Sequence, residues 1–226
     1  MRIRIFYQKE LPLRFTSALD IQRIWERSLR RADLKVMYSQ GFHPQPKIQL
    51  GLPLPLGYIS SGECVDVWLE ESYPEACLIS EITPKVPAGI VIDRIELIDD
   101  FAKPVVSTIT ASEYLIKFWD DKITVKRIQP LIDALLEQPA ILRTKRNGKQ
   151  YDLRQLILDA HTVSLHDSDC QYLLYMKLVS EPNRMGRADE VLLAMGFALN
   201  EFLIKRTRSS DRKSTRLNSS PRIRSR

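Results

Sequence analysis

The stretch RIRIFYQKELPLRFTSALDIQRIW, residues 2–25, contains a strand followed by a capped helix. Polar and apolar residues alternate from Arg2 to Gln8, which is the period of a strand with one buried face. Ser17 precedes a helical pattern, and Asp20 lies three residues later, where its carboxylate can reach back to the cap. The apolar stripe expected to face the core comprises Leu19, Ile21, Ile24, Trp25, Leu29 and Ala32.

The sequence up to residue 103 predicts the remaining elements of a ferredoxin-like module. A strand from Lys47 to Leu52 is followed by the turn PLPLG and a second strand, ECVDVWLE. A helix is expected near residues 73–83, and the segment IVIDRIEL reads as the last strand. The order β-α-β-β-α-β predicts one sheet with both helices on the same face.

A second, diverged α+β module is predicted for residues 104–205. Strands are expected at residues 113–119 and 170–179, and helices at 130–137 and 188–198. Asn147-Gly148 is typical of a hairpin turn between two further short strands. The fold class expected for the whole chain is therefore α+β.

The basic residues are concentrated at the C-terminus. The pI is about 9.2, but residues 205–226 hold nine Lys or Arg against Asp211 alone. The segment lacks aromatic residues and apolar periodicity, so residues 206–226 are expected to be a disordered tail, and RKSTRLNSS resembles translated cloning DNA. Within the rest of the chain, residues 1–47 carry a net charge of +6 and residues 48–100 one of −8.

The loop SQGFHPQPK, residues 39–47, is the first candidate binding site. Pro44 and Pro46 stiffen the chain, and Gly41 permits a close approach by a ligand. We expect a pocket for an anionic or hydrogen-bonding ligand here. Its lining would comprise Ser39, Gln40, His43 and Lys47 from the loop, and Arg14 and Asp20 from the neighbouring motif. The alternative interpretation is a purely structural crossover in which Phe42 fills a gap in the core.

The exposed sheet face is the second candidate. Alternation places Arg2, Arg4, Phe6, Lys47, Asp66 and Trp68 on the face opposite the helices. Aromatic rings stack on bases and cations bind phosphates, so Arg4, Lys47 and Trp68 suit single-stranded RNA. The alternative is that the face packs against other parts of the protein, with Arg4 paired to Asp66.

Four motifs, RFTSALD, SQGFHPQPK, PLPLG and GECVDV, together resemble the radical SAM-linked protein family, a domain of unknown function that occurs beside or fused to radical SAM proteins. The resemblance implies a radical SAM protein as partner, and an iron–sulfur cluster and S-adenosylmethionine held by that partner rather than by this chain. Two positions depart from the family pattern. Ala18 stands where histidine is usual, and His43 stands where asparagine is usual.

Three functions remain open from the sequence. The first is an accessory or substrate-binding protein that works with a radical SAM enzyme, with RNA as one candidate substrate. The second is a self-sufficient RNA-processing or hydrolytic enzyme that uses His43, and the third is a structural subunit that only makes protein contacts.

The widely spaced cysteines predict no metal site. A cytoplasmic protein is expected, because neither a signal peptide nor a membrane span is evident.

Overall fold

A computed structural model describes residues 1–145, 147–167 and 170–211. The chain divides into two compact units, residues 1–106 and residues 107 onwards. The elements of the first unit are β1 (Arg2–Lys9), α1 (Ala18–Arg31), β2 (Ile48–Leu50), β3 (Tyr58–Trp68), α2 (Glu75–Ile82) and β4 (Ile90–Ile98). Those that follow are α3 (Val105–Thr108), β5 (Ile109–Phe118), α4 (Val125–Leu136), β6 (Leu142–Thr144), β7 (Gln150–Asp152), β8 (Ile157–Asp167), β9 (Cys170–Glu181), β10 (Arg184–Met185), α5 (Ala188–Ala194) and β11 (Phe202–Asp211).

The first unit has the predicted ferredoxin-like topology. Its strands lie in the order β2-β3-β1-β4, and every neighbouring pair is antiparallel. The core lies between the sheet and the helices, where Trp25 of α1 meets the ring of Tyr7 edge to face at 4.9 Å. Alternation also predicts that Ile3, Ile5, Ile48, Leu50, Val65 and Val67 face the helices, and all of them except the partly buried Leu50 are buried there. The α+β class and this element order are confirmed.

The start of α1 also follows the prediction. The hydroxyl oxygen of Ser17 accepts a hydrogen bond from the backbone N–H of Asp20 at 3.2 Å, which satisfies a donor that the first helical turn would otherwise leave unpaired. Ile21, Trp25 and Leu29 are buried as expected. The expectation for Leu19 is wrong, because this side chain lies at the surface.

The second unit is a mixed sheet-and-helix unit with more strands than the sequence predicts. β5 pairs with β11 and β9, and β9 pairs with β8 and β10, all antiparallel. β6 and β7 form the predicted hairpin around Asn147-Gly148. Helix α4 begins five residues before the predicted Pro130, which lies inside it, and α5 ends at Ala194 rather than at residue 198.

The predicted start of the disordered tail is wrong. Residues 206–211 belong to β11, where Arg206 lies opposite Tyr114 and is buried. The rest of the predicted tail, residues 212–226, lies outside the described residues. Across the described ranges, no helix is both long and apolar enough to cross a membrane.

Candidate binding surfaces of the first unit

The sheet face opposite the helices is organised around a buried carboxylate, so the expectation that Arg2 and Asp66 are exposed on this face is wrong. Asp66 on β3 lies directly opposite Arg4 on β1, and Arg2 lies opposite Trp68 on the same pair of strands. Residues directly opposite one another on antiparallel strands share a face. The Asp66 carboxylate receives hydrogen bonds from Arg2 Nη2 at 2.6 Å, Arg4 Nε at 2.7 Å and Arg4 Nη2 at 3.0 Å. Two guanidinium groups therefore share one acid at the centre of this face.

The electrostatics of Arg4 reflect this arrangement. Burial alone would lower the pKa of Arg4, but the hydrogen bonds and negative charge of Asp66 outweigh it and raise the pKa above its ordinary value. Arg2 and Asp66 are almost fully buried, and Arg2 also donates to the backbone carbonyl of Ala102 at 2.6 Å. Both arginines serve to hold this face together.

The aromatic rings of this face are stacked against arginines of the same unit. The guanidinium of Arg2 lies 4.7 Å from the ring centre of Trp68, and that of Arg94 lies 3.5 Å from the ring centre of Phe6. Arg94 in turn pairs with Glu96 at 2.7 Å. Arg4 and Trp68 lie on the same face, but the arginine that contacts the Trp68 ring is Arg2. The paired arrangement, which was the alternative to RNA stacking, is the one observed for Arg4 and Asp66.

The loop from Tyr38 to Lys47 has a closed stem and an exposed tip. The backbone N–H of Ser39 donates to the carbonyl of Gln45, and the N–H of Gln45 donates to the Ser39 hydroxyl oxygen at 2.9 Å. Gly41 has a φ of +133°, which side chains rarely tolerate. Phe42 is fully exposed, so the alternative in which it fills the core is wrong.

The candidate polar residues of the loop do not converge on a pocket. Gln40, His43 and Lys47 are exposed, and within the described part of the chain none of their side chains makes a hydrogen bond or ion pair. A cavity of about 270 Å³ lies beside the stem, lined by Tyr38, Pro46 and residues around the end of α1. Ser39, Gln40, His43 and Lys47 are not among its lining residues.

Asp20 and Arg14 make structural contacts at the other end of α1. Ser17 Oγ donates to the Asp20 carboxylate at 2.6 Å, and this hydrogen bond is the main reason that the pKa of Asp20 lies below its ordinary value. Arg14 Nε donates to the carbonyl of Gly57 at 2.9 Å, and burial lowers the pKa of Arg14.

The predicted pocket of loop residues, Arg14 and Asp20 is therefore not assembled. Arg14 contacts Gly57, immediately before β3 begins, whereas the carbonyl of Lys47 accepts a hydrogen bond from Trp68, where β3 ends. Strand residues advance about 3.3 Å each, so Arg14 and Lys47 lie roughly 30 Å apart along β3. Lys47 instead adjoins Trp68, whose backbone N–H donates to the Lys47 carbonyl.

A set of four exposed apolar side chains, here called the apolar corner, lies within five residues of Arg14 in the sequence or next to Gly57, to which Arg14 is hydrogen-bonded. It comprises Leu11, Phe15, Leu19 and Leu56, whose exposed fractions lie between 50 % and 75 %. Arg14 stacks over Phe15 with 4.9 Å between guanidinium and ring centre, and a Cβ added to Gly57 would lie 4.0 Å from the same ring. Sequence periodicity missed this surface, although LPLRF and PLPLG place apolar residues beside prolines, outside any strand or helix pattern.

Within the described ranges, no three His, Cys, Asp or Glu side chains are grouped closely enough to hold a metal ion. The first unit is best described as a ferredoxin-like scaffold with an apolar corner near the start of β3 and an exposed loop near its end.

The chain belongs to the family described as "uncharacterized protein conserved in bacteria (DUF2344)", whose model matches residues 2–185. No curated protein matches it. The chain is similar to one in the crystal structure of a Cbf5–Nop10–Gar1 complex, with 13 % identity and a TM-score of 0.45 over 92 % of this chain and 48 % of the other.

Two further solved structures show weaker likeness. An archaeal box H/ACA sRNP Nop10–Cbf5 complex gives 13 % identity and a TM-score of 0.42 over 92 % of this chain and 47 % of the other. The first two RRM domains of yeast poly(U)-binding protein Pub1 give 10 % identity and a TM-score of 0.25, covering 89 % of this chain and 98 % of the other. The chain spans about half the length of the chains it matches in the Cbf5–Nop10–Gar1 and Nop10–Cbf5 complexes.

Proposed function

We propose that this protein is an accessory subunit that docks onto a radical SAM enzyme through the apolar corner and holds a substrate for it. One observation carries the proposal. The motifs RFTSALD and PLPLG, on which the resemblance to radical SAM-linked proteins rests, place Phe15, Leu19 and Leu56 at the surface rather than in the core. Large apolar side chains grouped at a surface mark interaction sites, because their burial against a partner is favourable.

The corner is suited to a protein partner. Its backbone is fixed, since Arg14 and Gly57 exchange hydrogen bonds and the neighbouring helix is capped by Ser17. A rigid apolar surface loses little conformational entropy on docking. The guanidinium of Arg14, held over Phe15, places a polar group among the apolar side chains, as is common in protein interfaces.

The loop from Tyr38 to Lys47 is the substrate-contacting element in this proposal. Its stem is closed by hydrogen bonds, the aromatic ring of Phe42 and the imidazole of His43 are exposed at its tip, and the cation of Lys47 is exposed at its base. RNA is a substrate class that such a set can bind, through base stacking and phosphate contact. The iron–sulfur cluster and S-adenosylmethionine belong to the partner, and this chain supplies binding and positioning.

Co-expression tests the proposal. The full chain, tagged, is produced together with the radical SAM protein encoded beside a member of this family, and the mixture is analysed by affinity capture and size-exclusion chromatography. We expect a stable complex in a defined ratio that the Phe15→Ser, Leu56→Ser double variant fails to form. Independent elution of the two proteins at micromolar concentration would contradict the proposal.

A further inference from the structure

A groove of about 370 Å³ runs between the outer face of α1 and the segment that leads into β4. It is lined by Ile24, Arg27, Arg30, Arg31 and Pro87. Three guanidinium groups thus border one side of the groove, and two apolar side chains complete it. This surface lies towards the C-terminal half of α1, away from the apolar corner at the start of the helix, and the proposed docking does not use it.

Most hydrogen-bond donors of these arginines have no acceptor among the described residues. Arg31 donates to the backbone carbonyl of Lys85, and Arg30 donates to Glu26 Oε1 at 2.9 Å. Arg27 makes no hydrogen bond or ion pair within the part of the chain that the structure describes. Each guanidinium carries five N–H donors in a planar fork. The single contacts of Arg30 and Arg31 therefore orient these side chains while leaving further donors available.

The spacing of the arginines is unfavourable for the isolated helix. Arg27 lies four residues after Arg23 and four before Arg31, and like charges at this separation repel each other across one helical turn. Arg30 and Arg31 are in the last turn, where cations offset the helix dipole, but Arg27 is a full turn earlier. An anion bound between Arg27, Arg30 and Arg31 would convert this repulsion into attraction.

We propose that the groove binds the phosphate group of a nucleotide ligand. The arginines would hold the phosphate oxygens, because the planar guanidinium fork matches phosphate geometry, and Ile24 with Pro87 would contact the sugar or base. The volume of the groove falls within the range of small-molecule sites, about 300–1,000 Å³. The phosphate could come from a free nucleotide or from the backbone of single-stranded RNA.

Binding measurements on the isolated full chain test the groove without the partner. Fluorescence anisotropy with a labelled oligouridine and calorimetry with ATP are compared for the parent, the Arg27→Gln, Arg31→Gln double variant and a matched control. The control is Lys126→Gln, Arg127→Gln, which removes the same charge from the exposed face of α4. The basic residues after position 211 stay in every protein, so their contribution cancels in the comparison.

The groove variant is expected to bind its ligand roughly tenfold more weakly than the parent, while the control changes little. For oligouridine, the slope of log affinity against log salt should fall by roughly 0.7 for each phosphate that the variant no longer neutralises. If the variant binds only oligouridine more weakly, the ligand of the groove is RNA. If it also binds ATP more weakly, the ligand is a free nucleotide. The single variant Arg27→Gln should also raise the melting temperature slightly, because it removes the repulsion. Absence of binding by the parent, or equal weakening in variant and control, would overturn the proposal.

Discussion

Arg4 and Asp66 form a two-point ion pair across β1 and β3, with Arg4 Nε 2.7 Å from Asp66 Oδ1 and Arg4 Nη2 3.0 Å from Oδ2. The same carboxylate receives Arg2 at 2.6 Å, and Arg2 stacks on Trp68. The centre of the sheet face opposite the helices is therefore a pre-formed network in which one carboxylate partly neutralises two guanidinium groups. A ligand that contacts this face would have to compete with it.

Replacing Asp66 with Asn should destabilise the protein strongly. An amide cannot balance two guanidinium groups, and Arg2 would remain buried with an uncompensated charge. Removing one partner of a buried ion pair costs about 3–5 kcal/mol in the free energy of unfolding. Urea denaturation measures this quantity.

The matched control is Asp93→Asn, since Asp93 accepts a hydrogen bond from Gln8 at the exposed surface. We expect a change below about 0.5 kcal/mol for this control. If Asp66→Asn changed the stability as little as the control, the network would contribute nothing to folding.

The first unit could be predicted from sequence because its local signals agree. Alternation predicts β1, and the Ser17 cap together with the apolar stripe predicts α1. Both elements are present in the structure. Strands β8 and β11 were missed for physical reasons. Register shifts break the alternation of β8 twice, and β11 is so rich in Arg and Ser that only pairing with β5 reveals it as a strand.

The candidate site was less predictable than the fold. Alternation correctly placed Arg4, Asp66 and Trp68 on one face, but spacing along the chain does not reveal which charges neutralise one another. Arg14 and Lys47 are predicted to line one pocket because Arg14 belongs to the motif that precedes the loop in the sequence. The length of β3 holds them apart, and this separation follows from the pairing of strands rather than from any local pattern.

Ser17→Ala should raise the pKa of Asp20 towards its ordinary value of 3.8, because the Ser17 hydroxyl is the main cause of its depression. A carboxylate with a depressed pKa stabilises the fold above its unfolded pKa, and this contribution disappears as the pH falls through the folded pKa. Removing a serine cap costs about 1 kcal/mol in the free energy of unfolding. The difference between parent and variant should therefore be larger at neutral pH than in acid.

An NMR titration of the Asp20 carboxyl carbon, together with denaturation at several pH values, checks this expectation. Arg23→Gln serves as the comparison, since Arg23 is a lesser cause of the depressed pKa and lies 3.4 Å from the carboxylate. A larger pKa change in Arg23→Gln than in Ser17→Ala would show that the ion pair, not the cap, controls Asp20.

Gly41→Ala should loosen the loop from Tyr38 to Lys47. No described atom lies within 4 Å of an added Cβ, so the cost comes from the backbone, where a φ of +133° disfavours any side chain. Strain of this kind costs about 1–3 kcal/mol. Because the tip is exposed, we expect faster proteolysis within residues 39–47 and weaker substrate binding, with a smaller change in the global melting temperature. Gln40→Ala, one residue away, should have neither effect, and equal proteolysis rates for the two variants would contradict the assignment of strain to Gly41.

The most direct test of the central claim is a titration of the proposed radical SAM partner with the parent chain and with the Phe15→Ser, Leu56→Ser variant. Phe101→Ser, Leu199→Ser is the matched control, because it removes a Phe and a Leu outside the apolar corner that are at least about as exposed as Phe15 and Leu56. Burial of each side chain contributes about 1.5–3 kcal/mol to the free energy of binding. The corner variant should therefore raise the dissociation constant by roughly 100-fold or more at unchanged melting temperature. The control should bind like the parent. Equal affinities for parent and corner variant would contradict docking through the apolar corner.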